Sequence, residues 1–166
     1  AHPSPGVALV DAESRGDALY LLSIGDLFAA NIGEGYGELQ QVGVLGKMFI
    51  SLDIVLKGLH RPSDFKLADL DNDGSEEVLV SNLGDYTGNF SIFSRKGGRG
   101  KFAAEPLVLS EESGIVKSET HDFNGDGFLD IVVLMSAGRE NVSLFLNDQK
   151  GSFERKVLFE KHPSFG

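Results

Sequence analysis

Two nine-residue windows in the chain place oxygen-bearing side chains at the same four positions. In the first, Asp69, Asp71, Asp73 and Glu77 stand at positions 1, 3, 5 and 9. In the second, Asp122, Asn124, Asp126 and Asp130 occupy those positions. Gly74 and Gly127 fill position 6, where a glycine lets the backbone turn sharply and bring the alternate side chains onto one point. The carbonyls of Ser75 and Phe128, at position 7, can then point inward. Like charges packed this closely repel by on the order of 4 kcal/mol per pair at about 4 Å and an effective dielectric near 20. A hard divalent cation removes that cost. An all-oxygen donor set favours Ca²⁺ over zinc or copper, and over Mg²⁺, which keeps its waters and a strict octahedron. The plain alternative is a solvated Asp/Asn/Gly turn, but such a turn has no reason to repeat the position 9 acid.

An EF-hand would need a glutamate at position 12 and a helix on each side. Position 12 is Val80 in one window and Val133 in the other, and both lie in strand-like runs. The elements holding these loops are therefore strands. A strand enters each loop, apolar at 65–68 and polar at 118–121, and a β-branched one leaves it, as in Val78-Leu79-Val80 and Ile131-Val132-Val133.

The two loops are one feature of a longer repeat. Asp69 and Asp122 are 53 residues apart; Asn89-Phe90-Ser91-Ile92-Phe93 resembles Asn141-Val142-Ser143-Leu144-Phe145, 52 residues on; Gly100-Lys101-Phe102 resembles Gly151-Ser152-Phe153, 51 residues on. Drifting offsets are expected when strands are fixed and turns vary. A weaker copy lies upstream, with Val7 to Gly16 set against the stretch ending at Gly74, and 27–36 reading as an insertion. There position 5 is Arg15 and position 9 is Leu19, so that loop is expected to hold no metal, with Arg15 pairing with Asp11 and Glu13. Four short strands per period of 50–60 residues predict an all-β, β-propeller-like fold of three four-stranded antiparallel blades. The blades fall at about 7–59, 60–113 and 114–161 within one repeat domain, 1–166. The strand entering each loop is expected to be innermost. It should be buried on both faces at 7–10 and 65–68, and wetter at the polar stretch 118–121. Closed rings have about four to eight blades, so three are expected to be part of a larger propeller.

Composition agrees. Hydrophobic residues make up 41% of the 166, enough for a core, and the 21 glycines fit many turns. A net charge of −10 argues against nucleic acid, which needs clustered Lys and Arg. The absence of cysteine excludes disulfides, thiolate metal sites and a Cys nucleophile. No apolar run approaches the roughly 20 residues of a membrane span, so no membrane insertion is expected.

The pattern Asp-x-Asp-x-Asp-Gly-x-x-Asp/Glu followed by apolar strands resembles the calcium loop of the FG-GAP and VCBS repeats, and is closer to the bacterial VCBS type. The Phe-Gly signature of the integrin-like members is absent. The resemblance implies two calcium ions, one held by Asp69, Asp71, Asp73, the Ser75 carbonyl and Glu77. The other would be held by Asp122, Asn124, Asp126, the Phe128 carbonyl and Asp130. It also implies that calcium braces the blade without doing catalysis, and that the protein is exported, to the periplasm or the cell exterior.

No hydrolase elbow, zincin helix or phosphate loop appears, and the loop carboxylates would be taken by calcium, so an enzyme is not expected from this chain. Gly33 to Gly37 and Gly97 to Gly100 read as turns. His2, His60 and His162 recur in similar His-Pro or His-x-Pro contexts and read as linker residues; His121 is expected to pack against its loop. The expected role is a calcium-binding structural or interaction module, whose partners are further blades of the same protein or another chain, or a protein or glycan ligand. The alternatives are a carbohydrate-binding propeller, with Tyr36 and Tyr86 as platforms, and the non-catalytic part of a larger secreted enzyme.

Overall fold

The computed structural model describes residues 7–26, 36–46, 48–84, 87–95, 101–136 and 140–161. Twelve strands form three four-stranded antiparallel sheets among these residues. The first holds β1 (Val7–Arg15), β2 (Ala18–Asp26), β3 (Gly37–Leu45) and β4 (Met48–Leu59). The second holds β5 (Pro62–Ala68), β6 (Glu77–Asn82), β7 (Asn89–Phe93) and β8 (Leu107–Ser110). The third holds β9 (Ile115–His121), β10 (Asp130–Met135), β11 (Glu140–Asn147) and β12 (Phe153–Lys161). Each sheet is a simple meander, in which consecutive strands pair, and the three do not close into a barrel. Among the described residues no helix is long and apolar enough to cross a membrane.

The sheets stack through their faces. One core joins Tyr20, Leu22, Leu39 and Leu56 of the first sheet to Phe65, Leu67, Val78, Val80 and Phe93 of the second. Another joins Leu79, Phe90 and Ile92 of the second to Ile131, Val133, Met135 and Phe145 of the third. Strand β6 therefore sends Val78 and Val80 to one neighbour and Leu79 to the other, and all six of its residues are buried. This two-sided burial explains its unbroken apolar run. Fully burying one such side chain is worth about 1.5–3 kcal/mol.

The strand entering each acidic loop is innermost, as blade order requires: β5 touches both β1 and β9. The inner strands meet edge to edge through side chains. Asp11 accepts from the Phe65 N–H at 3.4 Å, Glu13 from the Leu67 N–H at 3.3 Å, and Asp64 from the Ser118 N–H at 2.9 Å. Carboxylates thus cap backbone donors that would otherwise line an open sheet edge.

This contact pattern corrects the upstream alignment. Asp11 does for β5 what Asp64 does for β9, so Asp11 corresponds to Asp64 and not to Asp69. Asp11, Glu13 and Arg15 lie inside strand β1, and a two-residue hairpin joins Arg15 to its partner Ala18. Its first residue, Gly16, has φ +53°, as tight hairpins demand. The first repeat therefore has no acidic loop between its first two strands. Arg15 does pair with Glu13, but it also reaches Glu76 at 2.9 Å, the Leu67 carbonyl at 3.1 Å and the Ser14 carbonyl at 3.3 Å, while Asp11 accepts from the Ala12 and Phe65 N–H groups.

Strand β1 departs from the expected burial on both faces, because Leu9 and Val10 are exposed. The polar β9 is more open than β5, as its sequence implied.

Candidate metal centre

The two acidic windows are the β5–β6 and β9–β10 connections, at 69–76 and 122–129, with position 9 opening the next strand. Their internal wiring is nearly identical. The position 1 carboxylate takes the N–H groups of positions 5 and 6: Asp69 from Asp73 at 3.1 Å and Gly74 at 3.0 Å, Asp122 from Asp126 at 3.1 Å and Gly127 at 2.9 Å. The position 3 oxygen also accepts from position 5, at 3.1 Å for Asp71 and 2.9 Å for Asn124. Position 5 accepts from position 7, Asp73 from Ser75 at 2.7 Å and Asp126 from Phe128 at 2.9 Å.

Two left-handed residues make this curl possible. Position 4 has φ +58° at Asn72 and +77° at Gly125; position 6 has φ +84° at Gly74 and +88° at Gly127. Gly and Asn are the residues that adopt such angles at least cost. The sequence pointed to position 6 and left position 4 unread.

Position 9 does more than face the loop. Glu77 accepts from the Leu70 N–H at 2.9 Å, and Asp130 accepts from the Phe123 N–H at 2.9 Å and the Asn147 N–H at 2.8 Å. Both acids are buried, Asp130 completely. A buried carboxylate at the root of each loop thus satisfies backbone donors there.

In the first loop, carboxylate oxygens of Asp69, Asp71 and Glu77 lie within 4.8 Å of one another. Asp73 stands outside this trio. Burial pushes the Glu77 carboxyl above its ordinary range, the Leu70 N–H opposes that, and the charges of Asp71, Asp69 and Asp73 push the same way as burial. The second loop is less crowded, because Asn124 replaces one acid. There Asp126 is held below the usual carboxylate range by the Phe128 N–H first, then by Gln149 at 3.1 Å and Asn124 at 3.0 Å. Both donor sets are all oxygen, and the first gathers three carboxylates around one point, so the residues present fit a hard divalent cation. A cavity of about 230 Å³ between the second and third sheets, lined in part by Asp71 and Glu77, gives access to the first loop.

Sequence reasoning missed the residues that tie the loops together. Asn72 donates to the Gly127 carbonyl at 3.1 Å, and Asn147 donates to the carbonyls of Leu70 at 2.8 Å and Leu129 at 3.2 Å. Asn147 lies at the end of β11, where the aligned residue of the second repeat is Arg95, so the repeat pattern carried no signal for it.

His121 stacks edge-on against Phe123 of the second loop, with ring centroids 5.3 Å apart. His60 meets Tyr36 edge-on at 4.9 Å. His2, His162, Tyr86, most of the 27–36 insertion and the Gly97–Gly100 turn lie outside the described residues.

No curated protein and no solved structure matches the chain. The family model of the FG-GAP-like repeat matches residues 69–133 and 122–163, a span that takes in both acidic loops and every strand from β6 to β12. That span covers more than half of the sequence, and the chain belongs to the FG-GAP-like repeat family.

Proposed function

We propose that the chain is a calcium-braced propeller repeat module with a structural or interaction role in an exported protein. The observation that carries this reading is the trio of Asp69, Asp71 and Glu77 oxygens, gathered within 4.8 Å around a buried glutamate. Such a group costs folding energy unless a cation offsets it. Asp69, Asp71, Asp73, Glu77 and the Ser75 carbonyl would hold one ion; Asp122, Asn124, Asp126, Asp130 and the Phe128 carbonyl would hold the other. The bound ion supplies charge neutralisation and fixes the loop. The chain supplies the rest: N–H groups that orient each carboxylate, and left-handed residues that fold it back.

Partners are further blades, of this protein or of another chain, because both outer sheet faces expose large apolar side chains. Residues Leu52 and Ile54 lie on the face of the first sheet turned away from Tyr20 and Leu22, and both are exposed. Leu134 and Phe159 are exposed on the far face of the third sheet. Patches of this kind mark interaction surfaces.

Thermal unfolding with calcium and with a chelator tests the metal reading. Binding to the folded state alone adds about 2.7 kcal/mol per site at a hundredfold excess over Kd. Equal midpoints in the two buffers would sink it.

A further inference from the structure

We infer that Asn147 couples the two acidic loops, so that filling one strengthens binding at the other; this rests on the calcium reading above. Every polar group of this buried side chain and its own N–H is engaged. Its backbone N–H donates to Asp130, the position 9 acid of the second loop, at 2.8 Å. Its side-chain amide donates to the Leu70 carbonyl at 2.8 Å, and the Leu70 N–H donates in turn to Glu77, the position 9 acid of the first loop, at 2.9 Å. Three hydrogen bonds therefore join one position 9 acid to the other, across the junction between the second and third sheets.

A branch leaves the same residue. Its Oδ1 accepts from the Gln149 N–H at 2.9 Å, and the Gln149 side chain donates to Asp126 at 3.1 Å. The Leu129 carbonyl, held by Asn147 at 3.2 Å, belongs to the residue just before Asp130. Asn147 thus orders two acids of the second loop and one of the first.

The physics of the coupling is shared ordering. A cation drawn to Asp130 and Asp126 holds Asn147 in place, and Asn147 then holds Leu70, whose N–H orients Glu77. The second ion finds its loop already set and loses less conformational entropy on binding. Coupling of this kind is reciprocal, and typical couplings lie between about 5-fold and 150-fold in affinity. The Asn72 to Gly127 contact is a parallel but exposed link, more open to competition from water.

The test is calorimetric titration of the 166-residue chain with calcium chloride, in wild-type and Asn147→Ala forms, each with and without Asp122→Asn/Asp126→Asn to disable the second loop. In the wild-type form, disabling the second loop should weaken calcium binding at the untouched first loop by about tenfold. In the Asn147→Ala form the same change should leave the first loop within about twofold, by the double-mutant logic that isolates a shared interaction. A merely structural asparagine would lower stability and leave the tenfold effect in place. Equal effects in both forms, or none in the wild type, would overturn the coupling. If Asn147→Ala does not fold, the wild-type comparison decides alone: a tenfold drop supports the inference and its absence overturns it. Two ions bound independently would overturn the coupling and leave the calcium reading standing, whereas no uptake at all would overturn both.

Discussion

Asp64 on β5 takes two hydrogen bonds from Ser118 on β9, one from its backbone N–H and one from its hydroxyl, each at 2.9 Å. Lys117 adds an ion pair at 2.6 Å, and Asp64 is 1% exposed. One carboxylate thereby closes the edge of the next inner strand. Removing it strands a buried N–H and a hydroxyl and leaves Lys117 only the longer pair with Glu119 at 3.9 Å, so Asp64→Ala should cost about 2–4 kcal/mol. Urea unfolding reads this directly, and a loss below about 1 kcal/mol would show that the strand edges do not depend on it.

The same pair sets a pH dependence at the alkaline end. Its hydrogen bond to Asp64 raises the Lys117 pKa above 10.5, more than its partial burial lowers it. A lysine whose folded pKa is raised contributes stability that is full below the unfolded value and is lost as pH rises through the folded one. Stability should therefore fall between pH 10.5 and the raised folded value. The Lys117→Met variant should flatten that part of the profile. If its profile instead runs parallel to the wild type above pH 10.5, the alkaline loss belongs to other groups.

Glycines at two kinds of position should fail for different reasons. A Cβ at Gly74 would meet nothing within 4 Å, but φ there is +84°, so Gly74→Ala should cost about 1–2 kcal/mol from backbone strain alone. A Cβ at Gly88 would come within 2.5 Å of the Gly84 carbonyl and 2.8 Å of the Asn82 carbonyl and Ser113 Cα. These are backbone atoms and cannot swing aside, so Gly88→Ala should be the more damaging of the two. Melting temperatures in the reverse order would refute the distinction.

The sequence revealed those parts of the fold that depend on residue type at fixed spacing. Four strands per repeat, the two loops and their position 6 glycines follow from alternation, β-branching and punctuation, and the family match covers the two loops and the strands from β6 to β12. The upstream repeat misled because Asp11 and Glu13 alternate as loop ligands do, and alternate residues of a strand also share a face. Only the pairing of Arg15 with Ala18 shows that this stretch is a strand ending in a hairpin. Asn147, Gln149 and the capping of β5 by Asp11 were illegible for another reason. Asn147 and Asp11 act across repeats, on residues more than 50 positions away, and Gln149 reaches 23 positions back within its own repeat, so nothing local marks them.

Glu77 should show opposite signs with and without metal. In calcium-free buffer its buried charge is opposed by Asp71, Asp69 and Asp73, and a neutral glutamine can still accept from the Leu70 N–H. Glu77→Gln should therefore raise the melting temperature of the calcium-free chain. With calcium in hundredfold excess the same variant should lack most of the roughly 2.7 kcal/mol that one site contributes. The curves of the two proteins should cross as calcium is added. A variant less stable than wild type in chelator would mean that the glutamate is held for its structure and not for a cation.

The outer faces of the stack make a final prediction. In the first sheet Val42 pairs with Leu52 and Gln40 with Ile54, on the face opposite to Tyr20 and Leu22, and both Leu52 and Ile54 are exposed. In the third sheet Leu134 pairs with Val142, and Val142 with Phe159, on the face opposite to Ile131 and Phe145. At both inner junctions the far face of one repeat packs on the near face of the next. The far face of the third sheet therefore suits the open face of the first, in a head-to-tail sense that two copies can satisfy at once. Each Å² of apolar surface removed from water contributes about 25 cal/mol, which favours association wherever the faces find each other. Sedimentation of the 166-residue chain should show mass rising with concentration, and Leu52→Glu/Ile54→Glu should shift it toward the monomer. A monodisperse wild-type monomer would show that the three repeats tolerate their open faces, and self-association unchanged by the two glutamates would place the contact elsewhere.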